Sequence, residues 1–195
     1  MYPEPKFCSA CGHPVSQTIP VDDSRLRHVC TNTGCNAVHY INPKMVLGTI
    51  PVYGDQIMLC RRAIEPRYGF WTLPAGFMEI NESIHQGAAR ETLEEAGARV
   101  RLGPPFTIFD VQRAQQVHMF FRAELLDLDY AAGPESLEVK MFREEDIPWD
   151  DLAFMTVSKT LKLFFEDRRA GRFRLHSGDL FDATSWPAEA FHHPG

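Results

Sequence analysis

Residues 76–97 read GFMEINESIHQGAARETLEEAG. Ser83 is a natural N-cap, and Gln86 three positions on completes a capping box. Gly97 supplies a stop, because glycine accepts the left-handed backbone that ends helices. The helix expected around residues 83–97 is acidic. At about 100° per residue, Glu91, Glu94 and Glu95 fall within one wedge, with Ala89, Leu93 and Ala96 on the opposite side. The pattern predicts a helix that buries one face and presents three carboxylates on the other. Like charges three and four residues apart repel, and Arg90 paired with Glu94 at i+4 offsets only part of that cost. An arbitrary E-x-x-E-E is most simply a solvated face. The context argues otherwise. The loop Thr72–Phe77 precedes the helix, and the carbonyl of Ala75 can join the three carboxylates in an oxygen-rich set suited to Mg²⁺ or Mn²⁺. Such a site suits phosphate chemistry, because the cation neutralises developing charge and acidifies a bound water.

The flanks supply a layered domain. Met45–Val52 and Gln56–Arg61 read as strands joined by a Gly54-Asp55 turn. Phe106–Val111, Val117–Leu125 and Leu137–Phe142 read as further strands. Phe154–Ala170 reads as a second helix: Phe154, Val157, Leu161, Phe164 and Phe165 recur at helical spacing, and Gly171 follows as a stop. Mixed strands and helices in this order predict an α/β (α+β) domain over residues 43–182, followed by a tail over 183–195.

Ahead of it, residues 1–42 form a different module. Four of the five cysteines lie here, as Cys8-x-x-Cys11 and Cys30-x4-Cys35, 18 residues apart. Two thiolate pairs on tight turns are what tetrahedral zinc takes, and a stretch this short draws much of its folding energy from the metal. Two disulfides are the competing reading, but the N-terminus carries no secretory signal and a cytosol would reduce them. The x4 spacing is wider than the usual knuckle, so His28 and His39 stand as substitutes for a cysteine. Cys60 reads as a buried thiol in a strand.

Composition narrows the function classes. The chain has 195 residues, 44% apolar, with net charge −6. No apolar run approaches the roughly 18 residues of a membrane helix. The acidic balance argues against a broad nucleic-acid surface, and Lys6, Arg25 and Arg27 are matched by Glu4, Asp22 and Asp23 in the first module. A cytoplasmic protein with no membrane and no nucleic-acid partner is expected.

The spacing Gly76-x5-Glu82-x7-Arg90-Glu91-x-x-Glu94-Glu95-x-Gly97 resembles the Nudix box, G-x5-E-x7-R-E-U-x-E-E-x-G-U, at every charged and glycine position. Thr92 and Ala98 stand where the family usually has bulky aliphatic residues. The resemblance implies the Nudix fold, a mixed β-sheet sandwiched between helices, preceded by a zinc ribbon. It implies hydrolysis of a nucleoside diphosphate linked to another moiety, and a homodimer. Glu91, Glu94 and Glu95 would be metal ligands, with Glu91 also a candidate base. Arg90 would orient the carboxylates, Glu82 would support them, and Ala75 would lend its carbonyl. Glu135 is the candidate for a further carboxylate from a downstream loop, with Glu138 second.

A ribbon ahead of this domain resembles two groups. The NADH diphosphatases carry S-Q-P-W-P-F-P-x-S after the box, and the stretch Phe109–Val117 has nothing like it. The plant chloroplast FAD/ADP-ribose diphosphatase and its bacterial relatives are matched at Asn42–Val46, Gly69–Gly76, Arg90–Thr92, Pro134–Glu138 and Ile147-Pro148. FAD or ADP-ribose is therefore the implied substrate, with an NADH or broad nucleoside-diphosphate-X diphosphatase as the alternative and a non-catalytic nucleotide sensor behind both. Arg61, Arg62 and Arg67 are candidates for substrate phosphates. Phe70, Trp71, Phe77 and Phe109 are candidates for a surface against the adenine or flavin ring.

Overall fold

A computed structural model describes residues 4–180. The tail expected over 183–195, and the last two residues of the domain expected over 43–182, lie outside the described residues. The chain divides into two compact units. The first runs to Pro43 and includes Arg113–Gln115; the second holds the rest.

The first unit is an antiparallel three-stranded sheet of β1 (Val15–Thr18), β2 (Arg27–Cys30) and β3 (Val38–His39). Among its described residues up to Pro43 only Cys8 and Cys30 are buried, while Phe7, Val21 and Leu26 face solvent. It has no apolar core, so its order has to come from the cysteines.

The second unit holds β4 (Lys44–Tyr53), β5 (Gln56–Arg62), β6 (Trp71–Thr72), β7 (Ala75–Phe77), α1 (Ile84–Ala96), β8 (Val100–Val111), β9 (Gln116–Leu125), β10 (Ser136–Phe142), α2 (Met155–Arg169) and β11 (His176–Asp179). The sheet runs β10-β5-β4-β9-β8-β11, with β6 beside β5 and β7 beside β4. It is mixed, because β4/β9 and β8/β11 are parallel and the other pairs antiparallel. The β4–β5 hairpin closes through Gly54 at φ 60°, the left-handed conformation a two-residue turn needs.

Side chains alternate across the sheet. Ile50, Ile57, Leu59, Phe106 and Phe120 pack with Val157, Leu161, Phe164 and Phe165 of α2. On the other face Leu47 and Phe121 pack with Ala88 of α1, and Met58 and Cys60 with Ala96. Both helices thus cover the sheet, as the sequence patterns imply.

Some elements depart from the sequence reading. β8 begins at Val100 rather than Phe106, because register shifts around Pro105 absorb the missing N–H of prolines that otherwise argue against a strand. Thr72–Phe77, read as a loop or strand end, overlaps two short strands, Trp71–Thr72 and Ala75–Phe77, that pair with β5 and β4. β11 has no strand-like composition. It is held by Asp167 of α2, whose Oδ2 accepts the Arg174 N–H at 3.0 Å and lies 2.9 Å from His176 Nε2.

Burial raises the Asp167 pKa, but the His176 and Arg174 bonds outweigh it and hold the carboxyl below the usual range. A depressed carboxylate contributes stability that is present above its unfolded value and lost as pH falls through the folded one. Asp167→Ala is therefore expected to lower unfolding free energy by about 2 kcal/mol at pH 7. The gap to wild type should shrink below about pH 4. Urea melts at pH 7, 5 and 4 check this, and equal stability at pH 7 would show that the pairing does not hold β11.

Candidate active site

The site is built by the placement of α1. Ser83 Oγ accepts the Gln86 N–H at 3.2 Å, and Gln86 Oε1 accepts the Ser83 N–H at 2.8 Å, so the capping box is complete. Gly97 closes the helix at φ 60°. The expected division of faces is corrected by the structure. Leu93, assigned to the buried side, is 52% exposed, whereas Glu91 and Glu95 are 9% and 7% exposed. Ala96 is buried as expected, and Ala89 half-buried. The reason is the small residues on the inner face. Gly87 lets the helix approach β4 so closely that a Cβ there would lie 2.7 Å from Leu47 Cδ1. Thr92, buried, bonds Thr49 Oγ1 at 2.7 Å and donates to the Ala88 carbonyl at 2.8 Å. A bulky aliphatic residue would lose that polar link to β4. With the helix this close, the flanking carboxylates point under it rather than away into solvent.

Glu91 lies against the backbone of Gly76. A Cβ on Gly76 would overlap its carboxylate, so only glycine leaves room. Glu95 Oε2 accepts the Ala75 N–H at 3.2 Å, which brings the Ala75 backbone to the cluster. Glu94 sits at the edge, its side chain 57% exposed.

Arg90 ties the carboxylates together. Its Nε and Nη2 donate to the two oxygens of Glu82 at 3.0 and 2.8 Å, and Nη1 to Glu91 at 2.7 Å and Glu94 at 2.9 Å. Nη2 also donates to the Phe77 carbonyl at 3.0 Å. A guanidinium has five N–H donors, so all are committed within the protein. Arg90 is a positioning residue with nothing left for a ligand.

The electrostatics divide the carboxylates. The hydrogen bonds from Arg90, then the Glu79 N–H, hold Glu82 down at about 2. Burial pushes Glu95 up to about 8 against the Ala75 bond, with the Glu91 charge adding to the rise. Burial also raises Glu91, against the pull of Arg90. Burial is the main cost of charge at both Glu91 and Glu95, and the neighbouring carboxylates add to it.

A second loop contributes. Ala131 N–H bonds the Ala96 carbonyl and Gly133 N–H the Glu95 carbonyl, both at 3.0 Å, and Gly133 lies too close to the Glu94 carbonyl to carry a Cβ. The loop is thereby fastened to the end of α1, and its Glu135 acts electrostatically on both Glu91 and Glu95. Glu138 lies in β10 opposite Arg61 and is exposed. Of the two downstream candidates, Glu135 is the one brought to the cluster.

The candidate phosphate and ring contacts scatter. Arg61 Nε donates to the Gly69 carbonyl at 2.9 Å, and Arg67, exposed, lies over the Phe70 ring. Arg62 Nε donates to the Pro66 carbonyl at 2.9 Å, its guanidinium is 5.0 Å from the Phe154 ring centroid, and its charge reaches Glu95. Trp71 is half-buried and packs edge-on to Phe142 at 4.9 Å, a core contact. Phe77 is 43% exposed with Lys44 over its ring. Phe109 is 1% exposed, which corrects its place among ring-binding candidates: it belongs to the sheet core.

In the first unit, Cys8, Cys11, Cys30 and Cys35 bring their sulfurs within 4.8 Å of one another. The Cys8–Cys35 and Cys11–Cys30 separations are 3.9 and 3.4 Å. Zn–S bonds of about 2.3 Å put tetrahedral sulfurs about 3.8 Å apart, while a disulfide needs about 2.05 Å. The extra residues of the x4 spacing form a turn in which the Asn32 carbonyl accepts the N–H groups of Cys35 and Asn36. His28 contacts Gln17 and Glu4 instead. His39 lies beside Cys8, outside the four-sulfur set.

The second unit is thus a mixed sheet between two helices, with an arginine-tied carboxylate cluster at the glycine loop before α1. The chain belongs to the Nudix family: residues 43–167 match the NUDIX domain, and residues 6–41 match the zinc-ribbon family described as Nudix N-terminal. Among solved structures, a NUDIX hydrolase from Nitrosomonas europaea is 48% identical, with a TM-score of 0.83 over 89% of this chain and 99% of that one. An ADP-ribose pyrophosphatase from Streptococcus suis shares the fold at 21% identity and a TM-score of 0.59, over 70% of this chain and all of its own. Among curated proteins, the NAD-capped RNA hydrolase NudC of Salmonella heidelberg is 29% identical over 150 residues, 75% of this chain and 55% of that protein. The chain spans about half the length of the curated relatives it matches. Among the described residues, no helix is long and apolar enough to cross a membrane.

Proposed function

We propose that this chain hydrolyses the diphosphate bond of a nucleoside diphosphate linked to another moiety, with FAD or ADP-ribose as substrate. The observation that carries the reading is the crowding of Glu91 and Glu95 beneath α1, against a glycine that leaves room for nothing else. Mg²⁺ or Mn²⁺ would be held by Glu91, Glu94, Glu95, Glu135 and the Ala75 carbonyl. When bound, the cation supplies charge neutralisation at the diphosphate and acidifies a water. Arg90 and Glu82 keep the carboxylates in place, and Glu91 is the candidate to take the proton from the attacking water. Water oxygen bonds to one phosphorus as the bridging P–O bond breaks. FAD then gives FMN and AMP, and ADP-ribose gives ribose 5-phosphate and AMP.

The four cysteines would hold a structural Zn²⁺, and the reduced thiols this requires suit the cytoplasm. We take the working form to be a homodimer, as the family resemblance implies.

A second reading is favoured by the curated relatives, whose name points to NAD-linked substrates. AMP release from FAD, ADP-ribose, NADH and NAD, run beside hydrolysis of an NAD-capped RNA, separates the two. Preference for FAD or ADP-ribose by kcat/KM supports the first. Preference for NADH, NAD or the capped RNA replaces it with the second. Binding without turnover of any of them would make the chain a nucleotide sensor.

A further inference from the structure

The thiols of the chain differ in how far solvent reaches them. Cys60 is buried in β5, and Cys8 and Cys30 are buried in the first unit. Cys35 is half-buried, and Cys11 is exposed. The turn that carries Cys11 is closed on its inner side, where Gly12 N–H bonds the Cys8 carbonyl at 2.8 Å and Cys8 N–H the His13 carbonyl at 2.7 Å. Its outer side is open: a Cβ on Gly12, at φ 75°, would meet nothing within 4 Å. Oxidation of cysteines follows exposure and thiolate character, so Cys11 is the ligand that a soluble oxidant meets first.

A second sulfur stands ready beside it. Cys30 Sγ lies 3.4 Å from Cys11 Sγ, against 3.9 Å between Cys8 and Cys35. Cys30 is held there by the sheet, since it ends β2 opposite Val15 and its N–H bonds the Ala37 carbonyl at 2.9 Å. An exposed sulfur with a buried one in contact is the arrangement in which a sulfenic acid is captured as a disulfide.

We propose that Cys11 is a peroxide-sensitive modification site, and that its oxidation to a Cys11–Cys30 disulfide releases zinc from the first unit. The inference rests on the structural-zinc reading above. The Cys11 thiolate attacks one oxygen of hydrogen peroxide, the O–O bond breaks, and a sulfenic acid and a hydroxide result. The Cys30 thiolate then attacks the Cys11 sulfur, the S–S bond forms and a second hydroxide leaves. Each sulfur loses one electron, and the peroxide takes both. Cys8 and Cys35 remain as two ligands, too few for a tetrahedral structural site. The described residues up to Pro43 bury only Cys8 and Cys30, so the first unit then loses its order.

The test adds hydrogen peroxide in steps to the zinc-loaded full chain, beside an untreated control. Released zinc is read with a chromogenic chelator, and the cysteines are mapped by mass spectrometry after differential alkylation. A Cys11–Cys30 disulfide should appear in step with zinc release while Cys60 stays reduced, and dithiothreitol with added zinc should restore the loaded form. Cys11→His keeps a zinc ligand without the thiol, so under the same peroxide it should release zinc about 10-fold more slowly. If that variant holds no zinc, the disulfide map of the wild type decides. A first disulfide that leaves out Cys11 or Cys30 overturns the inference. Zinc retained under peroxide that oxidises free cysteine in the same solution overturns it too, and the structural-zinc reading then stands. A wild type that binds no zinc overturns both.

Discussion

Gly76→Ala is expected to leave the fold intact and to cut AMP release about 100-fold, the scale of loss when a reacting geometry is misplaced by about an ångström. The three atoms nearest to an added Cβ at Gly76 all belong to the Glu91 carboxylate. That carboxylate is the far end of a flexible side chain, so the clash is relieved by moving Glu91 rather than the backbone. The cost then falls on the site. Displacing Glu91 also breaks its 2.7 Å bond from Arg90 Nη1, which loosens the tie to Glu94. Thermal melting and AMP release measured on the same preparation check the expectation. The diagnostic result is an unchanged melting curve with activity nearly gone. Full activity in a folded variant would show that the position of Glu91 does not matter to turnover.

Cys30→Ser is the second large effect. In the first unit the described residues up to Pro43 bury only two cysteines, so the metal has to stand in for a core. In zinc-finger peptides bound Zn²⁺ is worth on the order of 10–16 kcal/mol of folding free energy at neutral pH. Losing one of four thiolates should remove most of it. The expected result is about one zinc per chain in the wild type and well below that in the variant. Hydrogen exchange on the full chain should lose protection in β1, β2 and β3 while β4, β5 and β9 keep theirs, because the second unit has its own apolar clusters. Protection of β1–β3 that survives both the substitution and removal of zinc by a chelator would contradict a metal-built module.

The sequence made the second unit legible because its signals are local. Ser83, Gln86 and Gly97 bound α1, Gly54 turns the first hairpin, and the Phe/Leu stripe marks α2. The four cysteines came together as their spacing implied, even with the wider second pair. What stayed hidden depends on packing between distant segments. Helical periodicity placed Leu93 inside, since it weighs residue type and not the close approach that Gly87 and Thr92 permit. β11 has no strand propensity, and Asp167 of α2 fastens its start through Arg174 and His176. Phe109 looked like an available ring, but the alternation of β8 turns it into the core. Three arginines close in sequence could not be told apart, because what distinguishes Arg62 is Phe154, some ninety residues on. The Gly133-Pro134 turn signalled a loop before Glu135, yet only the bonds to Ala96 and Glu95 show where that loop is fastened.

The most direct test is AMP release with Mg²⁺ or Mn²⁺ by wild type and Glu94→Gln side by side. Glu94 is the exposed member of the cluster, so the substitution removes one charge with little effect on packing. Wild type should release AMP from FAD or ADP-ribose, and Glu94→Gln should lose that activity by about two orders of magnitude or more with its fold unchanged. Equal AMP release by both proteins would contradict hydrolysis at the α1 carboxylates.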